Sequence, residues 1–389
     1  MPEENKKRIL IFSTAYEPFV GGAEVAIKEI ASRLPDYDWQ MITVNLDGRQ
    51  KSEEQIGNIK VYRLGNGKLS KYFFPWLAYK KARQLQVQNK YDLIWAMMAN
   101  QAGLAALFFK LKFPQISYLL TLQEGDSEWD IWLRTWFMRP LYKAIYRRAD
   151  YIQTISNFLA NRARKMGAKC PVEVVPNGVI IKNDELRIKN SNLKRVISVS
   201  RLVKKNSLED LVKALVIVNR SSDNPVILKI IGEGKLRSKL EKLIRKLGIN
   251  NSTIIKKSDK EEKVLEGKVV NKQVYEYLKQ ADIFVRPSLS EGLGNSFLEA
   301  MAMRVPVIGT PVGGIPDFLK DGETGWFCKV KDPQSIAEKI NYILDEKNQA
   351  EVERVVENAY KLVTEKYTWP KIAEQMNTIF VQLTGKNKK

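Results

Sequence analysis

The stretch that decides the fold of this chain reads Arg286-Pro287-Ser288-Leu289-Ser290-Glu291-Gly292-Leu293-Gly294-Asn295-Ser296-Phe297-Leu298-Glu299-Ala300-Met301-Ala302. The short run at 281–285 before it is mainly apolar and contains β-branched residues, as expected of a buried strand. After it, the apolar residues between 297 and 302 recur at helical spacing. The sequence therefore predicts a strand–loop–helix unit whose helix is capped by Asn295 or Ser296.

This unit carries two carboxylates, Glu291 and Glu299. We expect Glu291 at the tip of the loop and Glu299 about one turn into the helix. The N–H groups at a helix start and the helix dipole favour a bound anion. Carboxylates so placed could hold sugar hydroxyls at one end and ribose hydroxyls at the other, with a diphosphate between them. The alternative is that both are ordinary solvated charges on a surface helix.

The flanking sequence carries a family resemblance. With 305–316 (Val-Pro-Val-Ile-Gly-Thr-Pro-Val-Gly-Gly-Ile-Pro) and 321–325 (Asp-Gly-Glu-Thr-Gly), the stretch resembles the Glu-x7-Glu region of retaining glycosyltransferases of the family 4 type. The resemblance implies an α/β chain with the GT-B fold, in which two Rossmann-like βαβ domains face each other across a cleft. It implies an acceptor-side domain over 1–185, joined by a helix that returns to it in 367–389, and a nucleotide-sugar-binding domain over 190–366.

Length and composition predict two cytoplasmic domains. A chain of 389 residues is too long for one core and about right for two. No window offers the ~18 uninterrupted apolar residues that span a bilayer, and the polar start lacks the apolar core of a signal peptide. The only cysteines, Cys170 and Cys328, stand far apart, which favours a reduced protein without a disulfide framework.

The chain is strongly basic, with a net charge of +20 spread through both halves. Such a surface suits anionic partners: nucleotide diphosphates, lipid phosphates, a membrane face or nucleic acid. A charge bias of the source organism is the alternative. Histidine is absent from the sequence, which excludes histidine-based metal sites and histidine general bases.

The first half alternates strands with helices, which predicts a parallel sheet whose ligands bind outside the carboxyl ends of the strands. Strands are expected near 8–14, 40–44, 59–63, 92–97 and 116–122, and helices near 76–88 and 101–111.

Two loops of this half are candidate parts of the site. Gly21 and Gly22 follow the first strand, where glycine lets the backbone approach a phosphate or sugar closely. The resemblance places this loop near the donor phosphate. Gln123 and Asp126 follow the strand at 116–122 and could hydrogen-bond the donor sugar or the acceptor, although many relatives carry a histidine where this chain has Gln123. Alternatively, Asp126 caps the next helix.

Two segments, 71–81 and 129–148, combine aromatic with basic residues. Helices of this composition lie at membrane interfaces, where anionic lipids attract them. We therefore expect both segments to be candidates for docking on an anionic membrane. The alternative is a core helix whose aromatic rings pack against the sheet.

The second half begins after a polar stretch at 182–192, which is the predicted linker. An arginine grips a phosphate with two N–H groups, and a lysine adds a mobile point charge. The resemblance implies that Arg201 and Lys205 neutralise the donor diphosphate. Relatives often carry lysine where this chain has Asn206, so the identity of the phosphate lysine stays open by one position, and a solvated basic loop is the alternative. Gly232 resembles the glycine that lines the nucleotide cleft.

The predicted activity is transfer of a hexose from a nucleotide-diphosphate sugar to a lipid-linked or polysaccharide acceptor, with retention of configuration implied by the family. Arg201, Lys205 and the helix start would stabilise the departing diphosphate. Glu299 would bind the ribose. The sugar would be bound by Glu291 together with the loop backbone at Gly292, Leu293, Gly294 and Asn295.

We expect neither a metal nor a cofactor besides the donor, because the only Asp-x-Asp pair, Asp36-Tyr37-Asp38, is expected in a turn before a strand. Nucleic acid is not an expected partner. We expect a cytoplasmic protein, peripheral at the inner face of the plasma membrane and working in envelope polysaccharide assembly. Two other functions stay open: an enzyme that turns over the donor without an acceptor, such as an epimerase-like GT-B protein, and a basic scaffold without activity.

Overall fold

The computed structural model describes residues 6–181, 194–220, 226–249, 264–267 and 271–385. The predicted linker at 182–192 lies outside the described residues. The chain forms two compact units: the first comprises Met1–Gly178 and Trp369–Lys389, and the second comprises Val179–Thr368.

The strands, in chain order, are β1 (Lys7–Phe12), β2 (Tyr37–Val44), β3 (Glu53–Ile56), β4 (Ile59–Leu64), β5 (Leu93–Met97), β6 (Ser117–Leu122), β7 (Tyr151–Thr154), β8 (Val172–Val174), β9 (Lys194–Val199), β10 (Val226–Ile231), β11 (Leu265–Glu266), β12 (Ile283–Arg286), β13 (Val307–Gly309) and β14 (Trp326–Phe327). The helices are α1 (Gly22–Arg33), α2 (Ser70–Asn89), α3 (Gln101–Lys112), α4 (Glu128–Thr135), α5 (Arg139–Arg147), α6 (Asn157–Lys165), α7 (Leu208–Arg220), α8 (Arg237–Lys246), α9 (Asn271–Lys279), α10 (Asn295–Ala302), α11 (Pro333–Leu344), α12 (Gln349–Lys366) and α13 (Trp369–Gly385).

The first unit is built on a sheet with the strand order β3-β4-β2-β1-β5-β6-β7-β8. Its described strand pairs are parallel, except that β3 runs antiparallel to β4. Strands covered on both faces read as continuous apolar runs, and Ile9–Phe12 in β1 and Leu93–Met97 in β5 are buried throughout. The predicted alternation of strands and helices is therefore confirmed.

The C-terminal helix α13 packs in the first unit, as the family resemblance implies. It lies against α1. The ring of Phe380 is 5.5 Å from that of Trp39 and 5.3 Å from that of Trp95, both in edge-on contacts. Such aromatic contacts stabilise beyond the area they bury, so the last helix is part of the first unit's core.

The second unit has a parallel sheet in the order β11-β10-β9-β12-β13-β14. One apolar cluster joins β9, β10 and β12 to helices α7 and α11. Two Rossmann-like parallel sheets, one in each unit, make this the predicted α/β fold.

Two predictions of local structure were wrong at β2 and α2. Tyr37 and Asp38 belong to β2 rather than to a turn, because Lys7 and Arg8 of β1 pair with them in register, and the Asp38 carboxylate accepts from the Arg8 guanidinium at 3.3 Å. Helix α2 begins at Ser70, six residues before the predicted start. The residues that follow Ser70 in its first turn, from Lys71 to Phe73, are exposed.

Candidate functional site

The loop between β12 and α10 is shaped by glycine. Gly294 precedes the helix with φ of +98°, and a Cβ there would lie 2.9 Å from the ring of Phe297. Gly294 is therefore the N-cap, and the prediction that Asn295 or Ser296 caps α10 was wrong: the left-handed backbone at Gly294 already turns the chain into the helix. Gly294 has no side chain with which to cap the helix, and the start of a helix favours an anion such as a phosphate through its dipole.

Glu291 lies midway along the loop between β12 and α10 and is not the solvated surface charge that was the alternative. Its side chain is buried, and its carboxylate accepts from the Arg286 guanidinium and, at 3.1 Å, from the N–H of Gly292. Its carbonyl accepts from the N–H of Gly314 at 3.1 Å. Gly313 passes so close that a Cβ there would lie 1.9 Å from that carbonyl oxygen. Gly313 and Gly314 thus pack against the backbone of Glu291 and fix its position.

Arg286, the last residue of β12, is the site residue that the sequence analysis missed. Its guanidinium donates to the Ser296 hydroxyl at 3.0 Å, to the Asn206 side-chain oxygen at 3.2 Å and to the Glu291 carboxylate. A buried arginine needs such partners because an unpaired charge is costly away from water. The signal that could have found it is a cation at the end of an otherwise apolar strand, five residues before a glutamate.

Asn206 joins the two halves of this site. It is almost fully buried, and its amide donates to the backbone oxygen of Arg201 at 2.6 Å while accepting from Arg286. The backbone oxygen of Lys205 accepts from the N–H of Leu289 at 2.6 Å. The loop that carries Arg201 and Lys205 is therefore tied directly to the loop that carries Glu291.

Gly232 brings the ends of β9 and β10 together. Its φ is +147°, and a Cβ there would lie 2.0 Å from the carbonyl oxygen of Ser200. Hydrogen bonds from Ser200 N–H to Ile231 and from Leu202 N–H to Glu233 close the contact. A glycine at this position thus supports the Arg201 loop.

Glu299 lies in the second turn of α10 and is half-buried. Burial raises the pKa of its carboxyl to about 7, and the charge of Arg286 acts in the opposite direction. A carboxyl with this pKa is half protonated at neutral pH, so ligand hydroxyls that hydrogen-bond to the carboxylate form would draw it into the charged state.

The raised pKa of Glu299 predicts how stability depends on pH. Below about pH 4.5 the carboxyl is protonated in both the folded and the unfolded chain. Between about 4.5 and 7 the unfolded chain loses the proton first, so the free energy of unfolding falls, by at most about 3 kcal/mol, as pH rises. Chemical denaturation of Glu299→Gln should therefore match the wild type at pH 4.5 and show greater stability than the wild type at pH 8. Equal stability at both pH values would contradict the raised pKa.

In the first unit, the predicted residues lie at the carboxyl edge of the sheet. Gly21 and Gly22 are exposed at the start of α1, which follows β1. The N–H of Gly21 donates to the Glu24 carboxylate at 2.8 Å. The loop is therefore accessible to a ligand, although the N–H of Gly21 already donates a hydrogen bond to Glu24.

Gln123 forms a reciprocal amide pair with Asn177, with both hydrogen bonds at 3.2 Å. Asn177 is buried and lies one residue before Gly178, where the first segment of this unit ends. The pair orients the Gln123 side chain at the end of β6.

Asp126 does not cap the following helix, so that alternative was wrong. Ser127 is the N-cap of α4, and its hydroxyl accepts from the N–H of Asp130 at 3.1 Å. The buried Arg162 donates to the backbone oxygens of Glu124 at 3.1 Å and Asp126 at 2.6 Å. Arg162 thus holds the loop of Gln123 and Asp126 in place, a role that nothing local in the sequence indicates.

Within the part of the chain that the structure describes, no group of three His, Cys, Asp or Glu side chains could hold a metal ion. The structure brings Arg201, Lys205, Gly232, Glu291 with Gly292–Asn295, and Glu299 into one region of the second unit. It places Gly21, Gly22, Gln123 and Asp126 at one edge of the first unit's sheet.

Comparison with known proteins identifies the family. The model described as Glycosyltransferase Family 4 matches residues 20–183, and the model described as Glycosyl transferases group 1 matches residues 181–362. Together they span most of both units. The chain therefore belongs to the glycosyltransferases of the group 1 and family 4 type, which confirms the resemblance carried by residues 286–325.

Individual relatives agree over the whole chain. N-acetyl-alpha-D-glucosaminyl L-malate synthase of Bacillus anthracis is 25% identical over 397 residues, covering 98% of this chain and 99% of the relative. The solved structure of sucrose-phosphate synthase from Thermosynechococcus elongatus has a TM-score of 0.80 at 19% identity, covering 98% of this chain and 100% of that one. Anabaena Alr3699/HepE, in complex with UDP and glucose, has a TM-score of 0.74 at 17% identity, covering 96% and 99%. The fold is that of GT-B glycosyltransferases.

Proposed function

We propose that this glycosyltransferase moves a hexose from a nucleotide-diphosphate sugar to a lipid-linked or polysaccharide acceptor, with retention of configuration and without a metal. The observation that carries the proposal is the hydrogen-bonded set of Arg286, Glu291 and Asn206 beside the start of helix α10. A sugar diphosphate needs acceptors for its sugar hydroxyls and positive charge for its diphosphate, and this set offers a fixed carboxylate beside cationic groups and a helix start.

The leaving diphosphate is the group that needs positive charge. Arg201, Lys205 and the start of α10 supply it, in place of a metal ion, by electrostatic stabilisation of the departing oxygen. Because the Arg201 loop is tied to the Glu291 loop through Asn206, these charges hold their positions before the donor arrives. Preorganised charge of this kind favours the transition state over the bound donor.

Each of the two carboxylates binds one end of the donor. Glu299 accepts hydrogen bonds from the ribose hydroxyls, and Glu291 with the backbone from Gly292 to Asn295 holds the hexose. Gln123 and Asp126 of the first unit contact the sugar or the acceptor, and Gly21 with Gly22 approach the donor phosphate. The UDP and glucose bound by the Anabaena protein support a nucleotide diphosphate and a hexose as the donor's parts.

The setting follows from the same proposal. The proposed location is the cytoplasm, peripheral at the inner face of the plasma membrane, and the proposed process is assembly of envelope polysaccharide, which the putative teichuronic acid biosynthesis glycosyltransferase among the relatives supports. No described helix is both long and apolar enough to cross a membrane.

Thermal unfolding with a panel of nucleotide sugars tests the proposal. With EDTA present, one donor at about 100 times its Kd should stabilise the protein by about 2.7 kcal/mol, which is roughly 5–10 °C for a unit of this size. The free nucleotide should give a smaller shift. A shift that requires added metal would refute metal independence. Donor hydrolysis with no transfer to any acceptor would favour the enzyme without an acceptor, and no shift with any donor would favour the scaffold.

A further inference from the structure

Two stripes of exposed apolar side chains lie on the first unit, and none of their residues is among the predicted sugar-binding residues. The α2 stripe consists of Leu69, Tyr72, Phe73, Trp76 and Leu77. The α4 stripe consists of Trp129, Trp132, Leu133, Trp136 and Phe137, which extend from α4 into the 3₁₀ turn after it. Six of the seven aromatic residues in these stripes are between 60% and 69% exposed, and the seventh, Trp132, is 41% exposed.

Each stripe has the spacing i, i+3, i+4, i+7, i+8, which puts its members on one side of a helix. The opposite sides of the same helices are already buried: Phe74 and Ala78 in α2, and Ile131 in α4. Core packing therefore uses other residues, and the predicted alternative of aromatic rings packed against the sheet was wrong for both stripes. Contiguous exposed apolar surface of this extent marks an interaction site.

The two stripes lie on one face of the first unit. The helices α2, α3 and α4–α5 connect β4 to β5, β5 to β6 and β6 to β7, in the same direction across the sheet. Right-handed crossovers put such helices on the same face. The contacts agree, because the ring of Trp76 is 6.2 Å from that of Phe108 in α3, and Gly103 of α3 lies against Ile145 of α5.

Both stripes also begin at the same edge. Helix α2 follows the carboxyl end of β4, and α4 follows the carboxyl end of β6. Four strand spacings separate these strands in the sheet, about 20 Å at ~4.8 Å each. This edge also carries Gln123 and Asp126, so the stripes flank the predicted acceptor side of the unit.

The charge beside the stripes indicates what covers them. Between residues 68 and 83 the sequence has five basic residues and no acidic one. Lys68, Lys71 and Lys80 are exposed, whereas Lys81 pairs with Glu53 at 3.0 Å. Near the α4 stripe the exposed charges are mixed: Arg139 at the start of α5 is basic, whereas Glu128 and Asp130 are acidic, and Glu128 pairs with Lys165 at 3.1 Å. The basic border therefore belongs to the α2 stripe, and it suits the headgroup region of an anionic bilayer, where rings of both stripes enter the interface and basic groups meet lipid phosphates.

We propose that the two stripes seat the first unit on an anionic lipid bilayer and that this bilayer carries the acceptor. The second part rests on the proposed function and narrows its acceptor to a lipid-borne one. Docking through this edge brings the acceptor headgroup to the side of the sheet where Gln123 and Asp126 lie. The relatives named above give malate and sucrose phosphate in their names, so a lipid surface would distinguish this chain from them.

Vesicle flotation of the full chain tests the docking. The protein should float with phosphatidylcholine vesicles that contain 30% phosphatidylglycerol, less in 500 mM salt, and little with phosphatidylcholine alone. The α2 variant Y72S/F73S/W76S and the α4 variant W129S/W136S/F137S should each weaken association at least about tenfold. Each of Lys68→Gln, Lys71→Gln and Lys80→Gln should weaken anionic binding about fivefold.

A matched control is available on the same unit. Val87, Leu111 and Val381 are 80%, 55% and 58% exposed, and Val87 lies roughly 16 Å along α2 from Trp76. The triple variant V87S/L111S/V381S removes exposed apolar surface outside the stripes and should float like the wild type. Wild-type protein that does not float, or stripe variants that float equally well, would overturn the proposal. A dimer in light scattering that dissociates in the stripe variants would assign the stripes to a second copy instead.

Two further readouts separate this inference from the proposed function. Stripe variants should keep the wild-type thermal shift with the donor, because the substituted side chains make none of the proposed donor contacts. Nucleotide release from the donor should require the lipid phase of an extract of the cells that make the protein, and should be lost in the stripe variants. Flotation without any donor shift would refute the proposed function alone. Release with the water phase alone would refute the lipid-borne acceptor alone.

Discussion

Replacing Glu299 with alanine is expected to lower kcat/KM for sugar transfer by roughly 100-fold or more. The proposed role is to accept two hydrogen bonds from the ribose, each to a charged acceptor and worth about 1.5–3 kcal/mol. A loss of at least about 3 kcal/mol corresponds to that factor. Donor titration by calorimetry should show the same loss in affinity, because the ribose contact is made equally in the bound donor and in the transition state.

The raised pKa of Glu299 makes this prediction sharper. The donor binds the carboxylate form, and a pKa of about 7 leaves about one molecule in ten in that form at pH 6 and about nine in ten at pH 8. Donor affinity should therefore improve about tenfold from pH 6 to pH 8. Glu299→Gln, which keeps one acceptor but cannot titrate, should bind more weakly than the wild type at pH 8 and show a flat profile over the same range.

The control for this series is Glu353→Ala, which removes an exposed carboxylate from helix α12 of the same unit. Its transfer rate and donor affinity should match the wild type. If Glu299→Ala binds the donor and transfers sugar at the wild-type rate, the ribose assignment is wrong. If Glu299→Ala loses donor affinity but the affinity of the wild type does not change with pH, the ribose assignment is retained. The raised pKa of Glu299 in the free protein would then be wrong.

The sequence predicts the features that depend on local pattern. The β12–loop–α10 unit could be recognised because an apolar run, a glycine-rich turn and a helical repeat follow one another within 22 residues, from 281 to 302. The helix cap was misplaced because any of Gly294, Asn295 and Ser296 can start a helix, and the choice depends on the ring of Phe297 beside the loop.

What depends on tertiary contact could not be predicted in the same way. Asn206 and Arg286 are separated by 80 positions, and only the pairing of β9 with β12 brings their loops together. The aromatic residues show the same limit. Trp39 and Trp95 are fully buried whereas Trp76 and Trp129 are exposed, and the composition of their segments does not distinguish the two cases. Burial is decided by which side of each element meets the sheet.

Replacing Arg286 with methionine is expected to lower both stability and donor binding. The change leaves the buried Glu291 carboxylate without its cation, and breaking a buried ion pair on one side costs about 3–5 kcal/mol. For the second unit this corresponds to a fall in melting temperature of roughly 10 °C. The hydrogen bonds to Asn206 and Ser296 are lost as well, so the Arg201 loop is no longer tied to the Glu291 loop through its side chains.

The same substitution should change the pH profile, which a purely structural role would not do. Arg286 is the charge that lowers the pKa of Glu299 against the effect of burial. Without it, that pKa rises further, and the increase in donor affinity with pH moves to higher pH. The titration should be followed by calorimetry at a temperature well below the melting point, so that the folded variant is the species measured.

A double substitution distinguishes positioning from stability. In R286M/E291Q the unpaired buried charge is removed, so the melting temperature should recover by about half or more relative to Arg286→Met. Donor affinity should not recover, because the Glu291 carboxylate is gone and the Glu299 pKa stays high. Recovery of both stability and affinity would show that Arg286 and Glu291 only hold the loop together. Recovery of stability alone would show that the pair acts on the donor. Arg286 would then fix the position of the Glu291 carboxylate, which binds the sugar, and lower the pKa of Glu299, which binds the ribose.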